Sequence, residues 1–138
     1  MTSALIKSSA ETILLVEDES HLREFFYSLL TSKGYGIIMA VDGQDAVEKY
    51  IDNMGCIDLV LMDIMMPRKD GLTARREIIA LNASFKILMM SGYSAYSSES
   101  FENINFVQKP FSPPTLLLHI RSLLGSNIGS LSTLTSEA

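Results

Sequence analysis

Short apolar runs alternate with amphipathic segments along this chain, which predicts an α/β fold: a doubly wound, five-stranded parallel sheet with helices on both faces. Two further observations support it. The run Ile57-Asp58-Leu59-Val60-Leu61-Met62 is almost continuously apolar, as a strand covered on both faces must be, and parallel strands are covered that way. Several of the runs also end in polar residues, and the ends of parallel strands share one edge, where open α/β sheets hold their ligands.

Thr12-Ile13-Leu14-Leu15-Val16 is the first strand candidate, followed at once by Glu17-Asp18-Glu19. Leu22, Phe25, Phe26, Leu29 and Leu30 then fall at helical spacing, and Gly34 supplies a stop. Tyr35 to Ala40 reads as the second strand. Asp42-Gly43 turns the chain into a helix with Ala46, Val47, Tyr50 and Ile51 on one face. The run ending at Asp63 is the third strand. Gly71 to Leu81 is the third helix, carrying Leu72, Ile78, Ile79 and Leu81 among charged residues. Phe85 to Met90 is a fourth strand ending at Ser91-Gly92, and Ile104 to Val107 a short fifth ending at Gln108-Lys109-Pro110. Tyr93 to Asn103 is Ser-rich with scattered apolar anchors, so a fourth helix there is expected to be short or mobile. The last helix carries Leu116, Leu117, Ile120, Leu123 and Leu124, with Gly125 as its stop.

At 138 residues without an internal repeat, the chain is expected to hold one domain over residues 11–125. Residues 1–10 and 126–138, the latter rich in Ser and Thr, read as flexible flanks. A net charge of -5 and the absence of any Lys/Arg run longer than a pair such as Arg75-Arg76 argue against a nucleic-acid partner. Cys56 is the sole cysteine, which excludes an internal disulfide and a cysteine-rich metal site. It is expected to pack as a small apolar residue beside the Asp63 strand, and the methionines as core filler. Met1 to Ala10 lacks the apolar region of a secretory leader, and no stretch reaches the roughly 18 apolar residues of a membrane helix. A cytoplasmic location without a membrane segment is expected.

The strand ends offer Glu17 and Asp18, then Asp63, then Ser91, then Lys109. If they converge, the carboxylates repel one another, and a hard cation is the usual resolution. Mg²⁺ suits an oxygen-only site that keeps waters and shares a phosphate ligand. Such a site can draw a phosphoryl group in line with an Asp63 oxygen, with Ser91 donating a hydroxyl and Lys109 a point charge to the same group. Each piece alone has a plainer reading. Glu17 and Asp18 suit a helix start through the dipole, Ser91-Gly92 suits a turn, and Lys109-Pro110 suits a loop entry. Asp70-Gly71 is taken as a turn into the third helix. Arg68 and Lys69 are expected to be solvated, and His21 and His119 to lie at surface or boundary positions.

The joint occurrence has a further reading. Leu14-Leu15-Val16-Glu17-Asp18-Glu19, Leu59-Val60-Leu61-Met62-Asp63 through Pro67 and Asp70-Gly71, Met90-Ser91-Gly92, and Lys109-Pro110-Phe111 together resemble a response-regulator receiver domain of two-component signalling. The resemblance runs from about Thr12 to Gly125. It implies the flavodoxin-like strand order 2-1-3-4-5. It implies Asp63 as phosphoacceptor, Asp18 and Asp63 as direct Mg²⁺ ligands, Glu17 as a ligand through water, and Met65 as a backbone-carbonyl ligand. Ser91 takes the place of the switch hydroxyl, Phe106 that of the aromatic that reorients with it, and Lys109 that of the phosphate's basic partner, with a cis bond to Pro110.

The resemblance further implies a phosphodonor, a histidine kinase or histidine phosphotransfer protein, and an output through a downstream protein or a parent hybrid kinase. The Phe111-Ser112-Pro113-Pro114 run before a Leu-rich helix is similar to hybrid-kinase receivers. No helix-turn-helix is expected after Gly125. The domain would assist its own phosphorylation and dephosphorylation without being a turnover enzyme. Met65 and Tyr93 stand two positions beyond Asp63 and Ser91, where neither can orient a water as an acid or amide would, so slow hydrolysis of the phosphorylated form is expected. One alternative is a degenerate receiver acting as a phosphorylation-independent binding module. Another, an aspartyl-nucleophile phosphohydrolase, would want an acid where Met65 stands. The absence of a Gly-rich loop after the first strand argues against nucleotide binding.

Overall fold

Strands of about five residues suffice to cross a small sheet, and the apolar runs have that length. The computed structural model, which describes residues 10–92 and 104–125, forms them into β1 (Thr12–Val16), β2 (Gly36–Ala40), β3 (Leu59–Asp63), β4 (Ile87–Ser91) and β5 (Asn105–Gln108). All pair in parallel, in the order β2-β1-β3-β4-β5. Every residue of β3 and β4 is buried. Helices cover both faces of these central strands, so their sequences are apolar at consecutive positions rather than alternating.

The helices among the described residues are α1 (Ser20–Ser32), α2 (Gly43–Asp52), α3 (Gly71–Leu81) and α4 (Pro113–Leu124). Each starts at a side-chain oxygen that accepts one of the orphan amide hydrogens of a first turn: Glu19 from Leu22, Asp42 from Asp45, Asp70 from Thr73 and Ser112 from Thr115. Gly125 closes α4 at φ 77° and donates its N–H to the Arg121 carbonyl, a conformation that favours a residue without Cβ.

The core has two halves, one per sheet face. Leu14, Val16, Val60, Met62, Ile87 and Met89 pack under α2 and α3 against Ala46, Val47, Tyr50, Ala74 and Ile78. Ile13, Leu15, Leu59, Leu61, Leu88 and Met90 pack under α1 and α4 against Phe26, Leu30, Leu116 and Ile120. Strand alternation extends this division to the polar ends. Glu17, Asp63 and Lys109 continue the α1/α4 face, whereas Ser91 and Phe106 continue the α2/α3 face.

The structure corrects several details. Tyr35 precedes β2, its N–H bonded to the Leu30 carbonyl in the turn after α1. Phe85 and Lys86 precede β4. Cys56 is exposed, not packed beside β3. It sits in a turn after α2, next to Gly55 at φ 90°, and Ile57 makes the inward step instead. Ile51 also faces outward, 49% exposed. The methionines divide: Met62, Met89 and Met90 fill the sheet centre, while Met39, Met54 and Met65 are exposed. Leu118 is the most exposed large apolar side chain among the described residues, at 68%. No helix of the described residues is long and apolar enough to cross a membrane. The helix expected within Tyr93–Asn103 and the terminal flanks lie outside the described residues.

Candidate functional site

Register brings the polar strand ends together. Val16 pairs with Met62, Asp63 with Met90 and Ser91 with Gln108. Glu17 and Asp63 therefore stand level at one sheet edge, with Ser91 one residue step beyond them and Lys109 two. The pairing runs slightly past the strands: Glu17 N–H donates to the Ala40 carbonyl at 3.2 Å, Ile64 N–H to Met90 at 2.9 Å and Lys109 N–H to Ser91 at 2.7 Å. These backbone bonds aim the side chains that follow.

Glu17, Asp18 and Asp63 each offer a carboxylate oxygen, all within 4.8 Å of one another. Lys109 Nζ reaches across them, 3.5 Å from Glu17 Oε1 and 3.5 Å from Asp63 Oδ1. Glu17, Asp63 and Ser91 are buried, and Asp18 is exposed at the mouth. Burial pushes the Glu17 carboxyl above its ordinary range, and the Asp63 charge adds to the rise, against the pull of Lys109. Burial likewise raises Asp63, with Lys109 opposing. Three carboxylates against one ammonium leave an excess of negative charge in a partly desolvated cleft.

Glu17 Oε2 accepts from the Glu19 N–H at 3.3 Å, but Oε1 is buried and accepts no hydrogen bond. An acceptor of that kind, beside two further carboxylates and with oxygen donors only, fits a hard divalent cation. Glu17, Asp18 and Asp63 are the side chains that would hold it. The Arg23 guanidinium donates to the Glu17 carbonyl at 2.7 Å, tying α1 to the end of β1.

Beyond Asp63 the chain turns sharply back. Gly71 N–H donates to the Ile64 carbonyl at 2.8 Å, and a Cβ on Gly71 would overlap the Asp63 carbonyl oxygen. A Cβ on Gly43 would overlap the Lys69 carbonyl in the same way. The Lys69 ammonium bonds both oxygens of Glu77 at 2.8 Å. Arg68 holds a left-handed backbone, φ 68°, which costs a side chain other than glycine about 1–2 kcal/mol. Its guanidinium makes a two-pronged bond to Asp42, Nε to Oδ2 at 2.6 Å and one terminal nitrogen to Oδ1 at 3.0 Å. Asp42 is buried, and Arg68 beside it holds its carboxyl below the usual range.

Of the residues expected at the site, Glu17, Asp18, Asp63 and Lys109 meet directly. Ser91 is fully buried at the end of β4, and Phe106 is half-buried against the α2/α3 side of the core. Met65 is 48% exposed on the loop after Asp63. The Lys109–Pro110 peptide is cis. His21 is exposed and His119 at a boundary, as expected. The α1 cap is Glu19, so Glu17 and Asp18 are not spent on capping. Arg68 is solvated as expected, its side chain 59% exposed, and is also paired with Asp42; Lys69, expected to be solvated, is largely covered and paired with Glu77. The Arg68–Asp42 pair spans 26 residues, and no local pattern announces it.

A family model for the response regulator receiver domain matches residues 13–121. The transcriptional regulatory protein DltR of Streptococcus agalactiae is 32% identical over 117 residues, which cover 79% of this chain and 50% of DltR. The chain thus spans half the length of that relative. The chemotaxis protein CheY of Bacillus subtilis is 34% identical over 120 residues, covering 83% of this chain and 98% of CheY. Among solved structures, the response regulator TrrA of Thermotoga maritima, in complex with Mg²⁺-BeF, is 34% identical with a TM-score of 0.74, covering 82% of this chain and 98% of that one.

Proposed function

The chain belongs to the response regulator receiver domain family, and from that membership we propose that it is a phosphoacceptor switch. Asp63 takes a phosphoryl group from a histidine kinase or a histidine phosphotransfer protein. The observation that carries this reading is the position of the Lys109 ammonium, 3.5 Å from both Asp63 Oδ1 and Glu17 Oε1 within the carboxylate cluster.

In the transfer, an Asp63 oxygen forms the new O–P bond as the P–N bond to the donor imidazole breaks, and the bonding pair leaves with the imidazole nitrogen. Asp18, Asp63, the Met65 carbonyl and, through water, Glu17 would hold Mg²⁺, which would neutralise charge on the phosphoryl oxygens. Lys109 is already over Asp63 and exchanges one of its carboxylate partners for a phosphoryl oxygen. Ser91 donates its hydroxyl to another, and Phe106, on the same sheet face as Ser91, repacks with it. That rearrangement biases a two-state surface read by a downstream protein or a parent hybrid kinase. The domain, taken as residues 11–125, works in the cytoplasm and resets by losing phosphate from Asp63, without turnover of a substrate.

Intact mass after incubation with acetyl phosphate tests this, with and without Mg²⁺, on the wild type and Asp63→Ala. One phosphoryl adduct that requires both Mg²⁺ and Asp63 is expected. No adduct from acetyl phosphate or from any phosphorylated histidine donor would favour the phosphorylation-independent binding module.

A further inference from the structure

The loop from Ile64 to Asp70 carries Met65; it is closed by the Lys69 N–H on the Pro67 carbonyl at 2.7 Å and is also held by other parts of the fold. Its far end is anchored by the Gly43 N–H on the Lys69 carbonyl at 3.0 Å and by the Lys69–Glu77 pair. Arg68 adds an anchor within the loop, three residues after Met65. Two observations single it out. It occupies a left-handed backbone position, φ 68°, that a glycine would adopt more easily. It also holds a planar, two-pronged grip on Asp42, a buried carboxylate that simultaneously caps α2 by accepting from the Asp45 N–H at 2.8 Å. Strain kept in place by an over-determined contact beside a reacting group is the usual sign of enforced geometry.

We propose that Arg68 is a positioning residue of the phosphoacceptor site: its fork on Asp42 holds the 64–70 loop, and with it the Met65 carbonyl, in the conformation that accepts the divalent cation. This rests on the phosphoacceptor reading above. Asp42 suits the task because α2 is fixed by Ala46, Val47 and Tyr50 in the core, so the loop is referenced to the same packed layer that supports β1 and β3. Arg68 touches neither cation nor phosphoryl group. It acts through the backbone, as outer partners of metal ligands do.

Mg²⁺ titration calorimetry on the intact chain tests the proposal with four proteins beside the wild type. Arg68→Gly keeps the backbone conformation accessible and removes the fork. Asp42→Asn keeps the helix cap and weakens the grip. The third is the double variant. Arg121→Ala, which removes a contact with Glu11 and Tyr35 remote from the site, controls for lost stability. Arg68→Gly is expected to weaken Mg²⁺ binding by about tenfold. Asp42→Asn should weaken it in the same direction, and the double variant no more than Arg68→Gly alone. Arg121→Ala should lower the melting temperature without changing Mg²⁺ affinity. Wild-type affinity in Arg68→Gly overturns the proposal, as does an equal loss in Arg121→Ala. A wild type that binds no Mg²⁺ overturns both the proposal and the reading on which it rests.

Discussion

Gly71 lies so close to Asp63 that a single added methyl would overlap the Asp63 carbonyl oxygen and crowd the Ile64 Cα. Both obstacles are backbone, so neither can swing aside. Gly71→Ala is therefore expected to cost about 1–3 kcal/mol, more than helix propensity would return, with a matching fall in the urea midpoint. An unchanged midpoint would mean that the Asp63–Gly71 turn is looser than described.

Without a divalent cation, burial raises the Asp63 carboxyl above its unfolded range, and Glu17 is raised beside it. The folded state then holds these protons more tightly than the unfolded chain. Their contribution is most favourable below the unfolded carboxylate range and is lost as pH rises through the raised folded values. Asp63→Asn is thus expected to melt higher than wild type in a chelator, by a margin that grows as pH rises from the unfolded carboxylate range towards neutrality, and the margin should shrink on adding Mg²⁺. Thermal melts across that range check the sign.

Asp42 works in the opposite direction. Its carboxyl is held low, chiefly by the Arg68 hydrogen bonds, so its stabilisation is present above the unfolded carboxylate range and lost as pH falls through the lower folded value. Asp42→Ala should cost about 1 kcal/mol through the lost α2 cap alone. The difference from wild type, measured by urea unfolding, should narrow only in strong acid.

Met65 is half-exposed on the loop leaving Asp63 and has no group to orient a water. Met65→Asn is expected to speed loss of phosphate from Asp63 by up to about tenfold, less than a full general base supplies. Following decay of the phosphoryl adduct by intact mass checks this, and an unchanged or slower decay would remove Met65 as a determinant of lifetime.

The parallel sheet was legible because its central strands must be apolar on both faces, and Thr12–Val16 and Leu59–Met62 carry that pattern without interruption. The site was legible for a related reason: parallel strands end together, so Glu17, Asp63, Ser91 and Lys109 needed only their place at the close of an apolar run. Cys56 was misread because an apolar-like residue three positions before a strand can face inward or stand in the preceding turn, and periodicity does not separate the two. Strand starts shifted by up to two residues, at Tyr35 and Phe85, where the chain leaves a helix through a turn before pairing begins.

The sequence by itself determined the class of fold, the edge at which the polar groups collect and the residue types that meet there, since these follow from local apolar pattern and the common direction of parallel strands. Tertiary structure decided what those groups experience. The burial of Glu17 and Asp63, the reach of Lys109 to both, and the grip of Arg68 on Asp42 depend on register and on elements 26 or more residues apart. Desolvation and long-range charge pairing act through space, and local sequence carries no record of either.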